Sequence, residues 1–560
     1  MDRSLPAMLR DRAHRWPEKT VMRYPEGKEF KRLSFAELAI KAQAYAAALR
    51  NLGVKRGDRV ALQSENCVEW SFVDWGCQCL GAILVPIYPT LPADQTQFIV
   101  RDAEASLVIS GSTDQQAKVS DLDLTKRLLS EIAETASTAN MDLADWNKEV
   151  DEADPDDVAT FIYTSGTTGN PKGVMLTHRN FLHVAKYATD EIGFRDDDTF
   201  LTFLPMSHVY ERIVGQCLPV YCGATIVYSK GLASLANEML TSKPTIMLCV
   251  PRFLEATMNK FLDGVKKQSP LQQKLFNLAL SQGANRAEGK FAPLAGLLDK
   301  IVGTKIRART GGNIRFFVSG GAALPPHVAR FYLAFRLCVL QGYGLTETTG
   351  GSVVNRPENN KYWTVGEPLG MECTIASDGE ILLRGPGIMK GYHNLPEQTA
   401  QAIDADGWFH TGDIGEFEGK SLKITDRKKD LLVLANGKNI APQVIEGKLK
   451  ESKFIQEVVL FGDGNEYVYG LVIPNFERLK EALGVNGTDE ELVGNTEVKA
   501  KMKAEIDSVN KSLADFEKVK KHTLVAAQFS IETGELTPSL KVKRKVIKER
   551  FAKQLEDLTK

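Results

Sequence analysis

From Ser34 onward the chain sets Phe35, Leu38, Ala42, Tyr45, Ala46 and Leu49 on one face at helical spacing, and Ser34 with Glu37 forms a capping-box pattern. This predicts an amphipathic helix, ended by Gly53 and Gly57. RVALQS then reads as a short strand, the segment after Asn66 as a helix, and AILVPIY and SLVIS as further strands. The alternation resumes after Asp157. ATFIYTS is strand-like, Asn180 opens a helical stretch, and ATIVYS, TIMLCV and IRFFVS supply apolar-rich runs of the kind buried on both faces. Strands alternating with helices predict βαβ units and a largely parallel sheet, hence an α/β fold.

From about residue 366 the texture changes to short strands and turns, as in GEILLRGPGIMKGY and DGWFHTGDIGEFEGKSLKITD, which predicts a small β-rich subdomain. DRKKD, Asp426 to Asp430, is a polar break between two strand-like runs. The 130 residues after it suffice for a separate α+β unit. The expected division is 1–427 and 428–560, and a chain of 560 residues needs more than one core in any case. The last helix carries Lys541, Lys543, Arg544, Lys545, Lys548 and Arg550, a run that by itself reads as a solvated face.

Hydrophobic residues at 43% and charged residues at 25% describe a compact globular protein. Seventy basic against seventy-one acidic residues leave a formal charge of -1, so no global field points to nucleic acid or to an anionic membrane. The eight cysteines are scattered without metal-ligand spacing and read as buried free thiols. The opening residues lack the apolar core of a signal peptide, and no stretch approaches the ~20 apolar residues of a membrane span. Together with unpaired thiols this predicts a cytoplasmic protein. A substrate that partitions into lipid would favour peripheral membrane contact, although no feature of the sequence marks one.

The strongest local signal is YTSGTTGNPKG, Tyr163 to Gly173: a strand running into small hydroxyl residues, three glycines and one lysine. Gly166 and Gly169 let backbone N–H groups approach oxygens closely. Thr164, Ser165, Thr167 and Thr168 add hydroxyls, and Lys172 supplies charge for a polyphosphate tail. Lys172 lies between Pro171 and Gly173, so the segment is not a Walker loop. A plain glycine-rich turn is the competing reading.

This segment resembles the phosphate-binding signature of the adenylate-forming superfamily, which includes acyl-CoA synthetases, adenylation domains and firefly luciferases. Further motifs follow in the family's order: LPMSHVYER (Leu204 to Arg212), SGGAALPP (Ser319 to Pro326), QGYGLTET (Gln341 to Thr348), DGWFHTGDIG (Asp406 to Gly415), LKITDRKKDL (Leu422 to Leu431) and NGKNIAPQVIE (Asn436 to Glu446). Asp406 to Lys429 is similar to the signature of fatty acyl-CoA synthetases, and the length resembles bacterial long-chain enzymes.

The resemblance implies a large N-terminal domain binding ATP and the acyl group, and a small mobile C-terminal domain serving the CoA step. A fatty acid, long-chain by resemblance, would be activated by ATP with Mg²⁺ as acyl-AMP and then passed to coenzyme A. Glu347 is the implied Mg²⁺ ligand, with Thr167 and Thr346 nearby. Tyr343, Gly344 and the backbone of Gly320, Gly321 and Ala322 resemble the adenine slot. Asp413 resembles the acceptor of both ribose hydroxyls, and Arg427 the group that approaches ribose or phosphate. His208 resembles a side chain placed beside the acyl carboxylate, with a satisfied core histidine as the alternative. Lys541 matches the lysine that bridges carboxylate and α-phosphate, and Lys543 is its rival. Lys429 sits at the family's hinge, and Gly437 where pantetheine passes, though a turn glycine reads equally well there.

Three other functions compete. A fatty acyl-AMP ligase delivering to a carrier protein shares the adenylation motifs, and a medium-chain or aryl acid–CoA ligase shares the scaffold. A binding protein without turnover is opposed by intact Lys172, Glu347, Asp413 and a C-terminal lysine. VGQCLPVYCGATIVYS and TIMLCVPRF could line an acyl tunnel, but buried core would look the same.

Overall fold

The helix Phe35–Asn51 forms where its apolar stripe predicts, and both halves of its capping box are made: Glu37 N–H donates to Ser34 Oγ, and Ser34 N–H to the Glu37 carboxylate at 2.7 Å. The computed structural model describes residues 2–27, 29–164, 170–530, 533–536 and 542–559. They gather into two units. The first comprises Met1–Thr374, Leu382–His410 and Glu418–Leu422; the second comprises Ile375–Ile381, Thr411–Phe417 and Lys423–Lys560.

The first unit is built on two sheets. In the nine-stranded sheet, Cys338–Tyr343, Phe316–Ser319, Ile246–Cys249, Thr199–Thr202, Thr225–Tyr228 and Thr20–Glu26 run parallel in that spatial order, with short antiparallel strands outside them. TIMLCV and IRFFVS supply strands buried at every position, as parallel strands covered on both faces should be. In the seven-stranded sheet, Val158–Thr164 runs parallel to Ile83–Ile87 and antiparallel to Lys172–Thr177, so the glycine-rich segment connects the two arms of a hairpin.

Asn180 does not open the following helix. Thr177 is the N-cap of His178–Ile192 and Asn180 is its third residue: Asn180 N–H donates to the Thr177 hydroxyl oxygen, and Thr177 N–H donates to Asn180 Oδ1. An amide at that position satisfies the cap as a glutamate would. Its Nδ2 also donates to the carbonyls of Pro386 and Ile388.

Arg212 is 1% exposed and lies in the wide π-helical turn Glu211–Cys217. Its guanidinium makes a two-pronged pair with Asp74 at 2.6 and 2.8 Å and donates to Thr160 Oγ1 at 2.5 Å. The Phe181 ring lies 5.3 Å and the Trp70 ring 5.9 Å from it. Thr160 in turn donates to the Leu84 carbonyl, and Gln78 links Asp74 to the Ala159 carbonyl.

The second unit has a three-stranded sheet, Ile455–Phe461, Val468–Pro474 and Val519–Leu524, over a core that includes Ile440, Leu449, Leu479, Met502 and Ile506. Its C-terminal basic run departs from the expected solvated helix. The helix starts at Arg544, with Lys543 as its N-cap, and breaks at Phe551 before Ala552–Thr559. Arg544 is largely buried, pairing with Glu446 at 2.7 Å and donating to the Leu460 carbonyl. Arg550 pairs with fully buried Glu535.

All eight cysteines are free, and five of them are buried. No helix among the described residues is long and apolar enough to cross a membrane.

Because Arg212 neutralises Asp74 out of water, Arg212→Met strands a carboxylate. The expected loss is about 3–5 kcal/mol of unfolding free energy, read as a lower urea midpoint at unchanged slope. A loss below about 1 kcal/mol contradicts this account of the pair.

Candidate active site

The hairpin register pairs Thr164 with Lys172, so residues 165–171 form its connection. Ser165, Gly166, Thr167, Thr168 and Gly169 lie outside the described residues, as does Lys541. Gly173 is needed for close packing: a Cβ there would stand 3.0 Å from the Tyr163 ring, whose hydroxyl donates to Asp102. The Gly173 carbonyl accepts from His393 N–H, which brings the strand Gly391–Tyr392 alongside.

Lys172 and Glu347, distant in sequence, are joined through Tyr392. The Lys172 ammonium sits 4.8 Å from the Tyr392 ring centroid, and the Tyr392 hydroxyl donates to Glu347 Oε1 at 2.9 Å. Burial and the Glu347 carboxylate push the Tyr392 phenol well above its ordinary range, so it remains a donor. Tyr392 is absent from the sequence-based candidates because GIMKGY reads there only as a short strand. A tyrosine two residues after a lysine in a glycine-rich turn is its one signal.

Glu347 occupies the 3₁₀ turn Thr346–Thr348, directly after the strand that ends at Tyr343. The turn is held by a bond from Leu345 N–H to Thr348 Oγ1, and Met389 N–H donates to the Glu347 carbonyl. Gly344 is required here: a Cβ would stand 2.6 Å from the Gly350 carbonyl carbon.

His208, Tyr210 and Gly320 form a second cluster. Tyr210 N–H donates to His208 Nδ1 at 3.1 Å, which makes Nε2 the protonated nitrogen of the neutral imidazole. The Tyr210 hydroxyl donates to the Val318 carbonyl, and a Cβ on Gly320 would lie 3.2 Å from its ring. Gly321 has φ +83°, and Ala322 is exposed.

Glu211 was not foreseen. It is 1% exposed, and neither carboxyl oxygen has a hydrogen-bond partner among the described residues. Its Oε1 lies where a Cβ on Gly215 would be, 2.2 Å from that position. Burial pushes the carboxyl up to about 8, and nearby Gln216 opposes this only in part.

In the second unit, Asp413 is buried and accepts from Arg427 Nε at 2.9 Å. Its backbone N–H donates to Thr411 Oγ1, and Thr411 donates to the Ile381 carbonyl. Asp426, in the polar segment Asp426 to Asp430, is also buried, and burial lifts its carboxyl to about 6. Lys429 is exposed in a turn closed by bonds from Asp430 and Leu431 N–H to the Arg427 carbonyl. Gly437, at φ +76°, occupies the turn between Leu432–Val433 and Asn439–Ile440, with open space where a Cβ would project. Lys543 N–H donates to the Glu535 carbonyl.

Among the described residues no group of three or more His, Cys, Asp or Glu side chains is arranged to hold a metal ion. A single carboxylate such as Glu347 suits a cation that takes most of its ligands from phosphate and water.

The sequence model for AMP-binding enzymes matches residues 9–393, and that for the AMP-binding enzyme C-terminal domain matches residues 429–560. A long-chain-fatty-acid–CoA ligase of Mycobacterium tuberculosis is 33% identical, the match covering 93% of this chain and 91% of the relative. The peroxisomal long chain acyl-CoA synthetase 6 of Arabidopsis thaliana is 32% identical, over 95% of this chain and 82% of the relative. A solved Mycobacterium tuberculosis fatty acyl CoA synthetase superposes with a TM-score of 0.68 at 24% identity, covering 98% of this chain and 99% of its own, a likeness of fold.

In the unfolded chain Glu211 ionises near its ordinary 4.5, whereas in the folded chain it keeps its proton to about 8. Folding therefore takes up a proton between those values, and stability falls as pH rises across that interval. Glu211→Gln cannot ionise. Its melting temperature should exceed the wild type's by a margin that widens to a few degrees from about 4.5 to about 8. Parallel curves across that interval would show that the carboxyl is not held protonated.

Proposed function

This chain belongs to the AMP-binding enzyme family, and from that membership we propose that it is an AMP-forming fatty acid–CoA ligase acting on long-chain acids. The observation that carries the reading is the joining of Lys172, at the foot of the phosphate-type hairpin, to Glu347 through the Tyr392 hydroxyl. A cation and a carboxylate on one wall suit a magnesium–triphosphate substrate, which presents both negative oxygens and a hard cation.

A fatty carboxylate is already ionised at neutral pH but is a poor acyl donor. One of its oxygens attacks the α-phosphorus of ATP, the bond to the β-phosphate bridge breaks, and pyrophosphate leaves. The thiolate of CoA then attacks the carbonyl carbon of the mixed anhydride, the carbon–oxygen bond to phosphate breaks, and AMP departs.

Backbone N–H groups and the hydroxyls of Thr164, Ser165, Thr167 and Thr168 cradle the phosphates, with Lys172 offsetting their charge. Glu347 and its neighbour Thr346 would hold Mg²⁺, with Thr167 proposed as a further oxygen donor; the cation when bound neutralises the phosphate oxygens. Tyr392 keeps the Glu347 carboxylate oriented. Tyr343 and the backbone of Gly320 to Ala322 receive adenine. Asp413, held in place by its bond from Arg427, accepts from the ribose hydroxyls. His208 positions the acyl carboxylate.

Lys541 bridges carboxylate and α-phosphate during adenylation. Residues 1–427 carry nucleotide and acyl binding, and 428–560 carry the lysine and the CoA step. Lys429 is the hinge between half-reactions, and the open side of Gly437 suits passage of pantetheine.

The test is pyrophosphate release with ATP and Mg²⁺ across acids from acetate to oleate, with and without CoA, products being identified by mass spectrometry. Acyl-CoA and AMP with a long-chain optimum are expected, and Lys541→Ala should abolish acyl-AMP formation while Lys543→Ala spares it. Acyl-AMP that accumulates despite CoA would overturn the reading in favour of delivery to a carrier protein. An optimum at short or aryl acids would overturn the chain-length assignment.

A further inference from the structure

Six of the fourteen exposed large hydrophobic side chains among the described residues fall between Leu271 and Ile301. Leu271, 76% exposed, and Leu278 lie two turns apart on the outer face of the helix Pro270–Ala287, whose inner face buries Phe276, Ala279, Gly283 and Ala284. Gln282 continues that outer stripe by one turn, and its side chain accepts from Leu294 N–H. Leu294 begins a second stripe with Leu297 and Ile301, running along consecutive turns whose opposite side buries Ala295, Leu298 and Ile306. Phe291, 86% exposed, stands on the loop between the two helices. The two apolar stripes are therefore adjacent and outward-facing, in a chain whose exposed apolar groups are otherwise scattered.

The charge around them is one-sided. Between Lys260 and Arg309 there are ten basic and three acidic residues, against a formal charge of -1 for the whole chain. Each of the three acids is paired within the protein: Asp263 with Lys266, Glu288 with Lys290 and Arg330, and Asp299 with Arg307 and Arg336. Lys260, Lys267, Lys274, Lys300 and Lys305 are exposed and make no ion pair among the described residues. Apolar side chains projecting through a rim of uncompensated lysines form the pattern that seats at a lipid headgroup boundary, where the apolar groups enter the acyl region and the ammonium groups meet anionic phosphates.

We propose that the face formed by Leu271, Leu278, Phe291, Leu294, Leu297 and Ile301 docks on bilayers containing anionic phospholipid. The choice of a bilayer as occupant follows from charge complementarity, and it deepens the ligase reading, on which it rests for its purpose: long-chain acids partition into membranes, so the enzyme would collect its substrate there.

Sedimentation with large unilamellar vesicles, without ATP or CoA, tests the surface directly. The full chain should pellet with phosphatidylcholine–phosphatidylglycerol vesicles, less with phosphatidylcholine alone, and be released by added salt. Lys300→Gln with Lys305→Gln should lower partitioning about tenfold, and Phe291→Ser with Leu294→Ser and Leu297→Ser should lower it at least as far. Both variants should keep wild-type turnover of a medium-chain acid dissolved in buffer, which shows that they are folded. Protein that stays in the supernatant with the anionic vesicles, or variants that bind as tightly as wild type, would overturn the proposal. Vesicle binding without acyl-CoA formation from any acid would instead overturn the ligase reading and leave the surface standing.

Discussion

A buried charge that must be neutralised organises the interior of the larger unit. Arg212 is taken almost wholly out of water and can be so placed only because Asp74 meets it with two parallel hydrogen bonds. The third donor reaches Thr160, on the strand that runs into the phosphate-type hairpin. One guanidinium thereby registers three elements: the helix carrying Asp74, the strand carrying Thr160, and the wide turn that follows His208 and begins with Glu211. A lysine could supply the charge but not the planar fork, so the geometry depends on arginine.

From this anchor the chemistry divides by polarity. On the hairpin side, Lys172, Tyr392 and Glu347 bring together groups suited to phosphate and its cation. On the other side, beyond His208, Glu211 is so thoroughly desolvated that it keeps its proton near neutrality. Glycines permit the close approaches between these parts. Gly344 lets its strand end pass against Gly350, Gly320 accepts the Tyr210 ring, and Gly215 leaves room for the Glu211 carboxyl.

The alternation of helices and strands was legible because parallel strands buried on both faces are short and apolar, as TIMLCV and IRFFVS are. Lys172, Glu347 and Asp413 were singled out as candidates by their motifs, and the structure joins the first two through Tyr392. What escaped was decided by tertiary packing. Asn180 looks like a helix start by residue type, yet it is the third residue of a cap begun by Thr177. Arg544 sits in a basic run that reads as surface, and Glu446, almost a hundred residues earlier, draws it inward. Tyr392 joins the site only because antiparallel pairing lays its strand beside Lys172–Thr177. The apolar face at Leu271 to Ile301 escaped because overall charge averages away a local excess of lysine.

The central claim is that the fatty carboxylate attacks the α-phosphorus of ATP. It is tested most directly by supplying a long-chain acid with both carboxyl oxygens isotopically heavy, together with ATP and CoA, and measuring the label in the nucleotide product by mass spectrometry. The account predicts one heavy oxygen in AMP for each acyl-CoA formed, because the bond broken in the second step leaves that oxygen on phosphorus. Heavy oxygen in inorganic phosphate alongside ADP, or AMP carrying none, would contradict it.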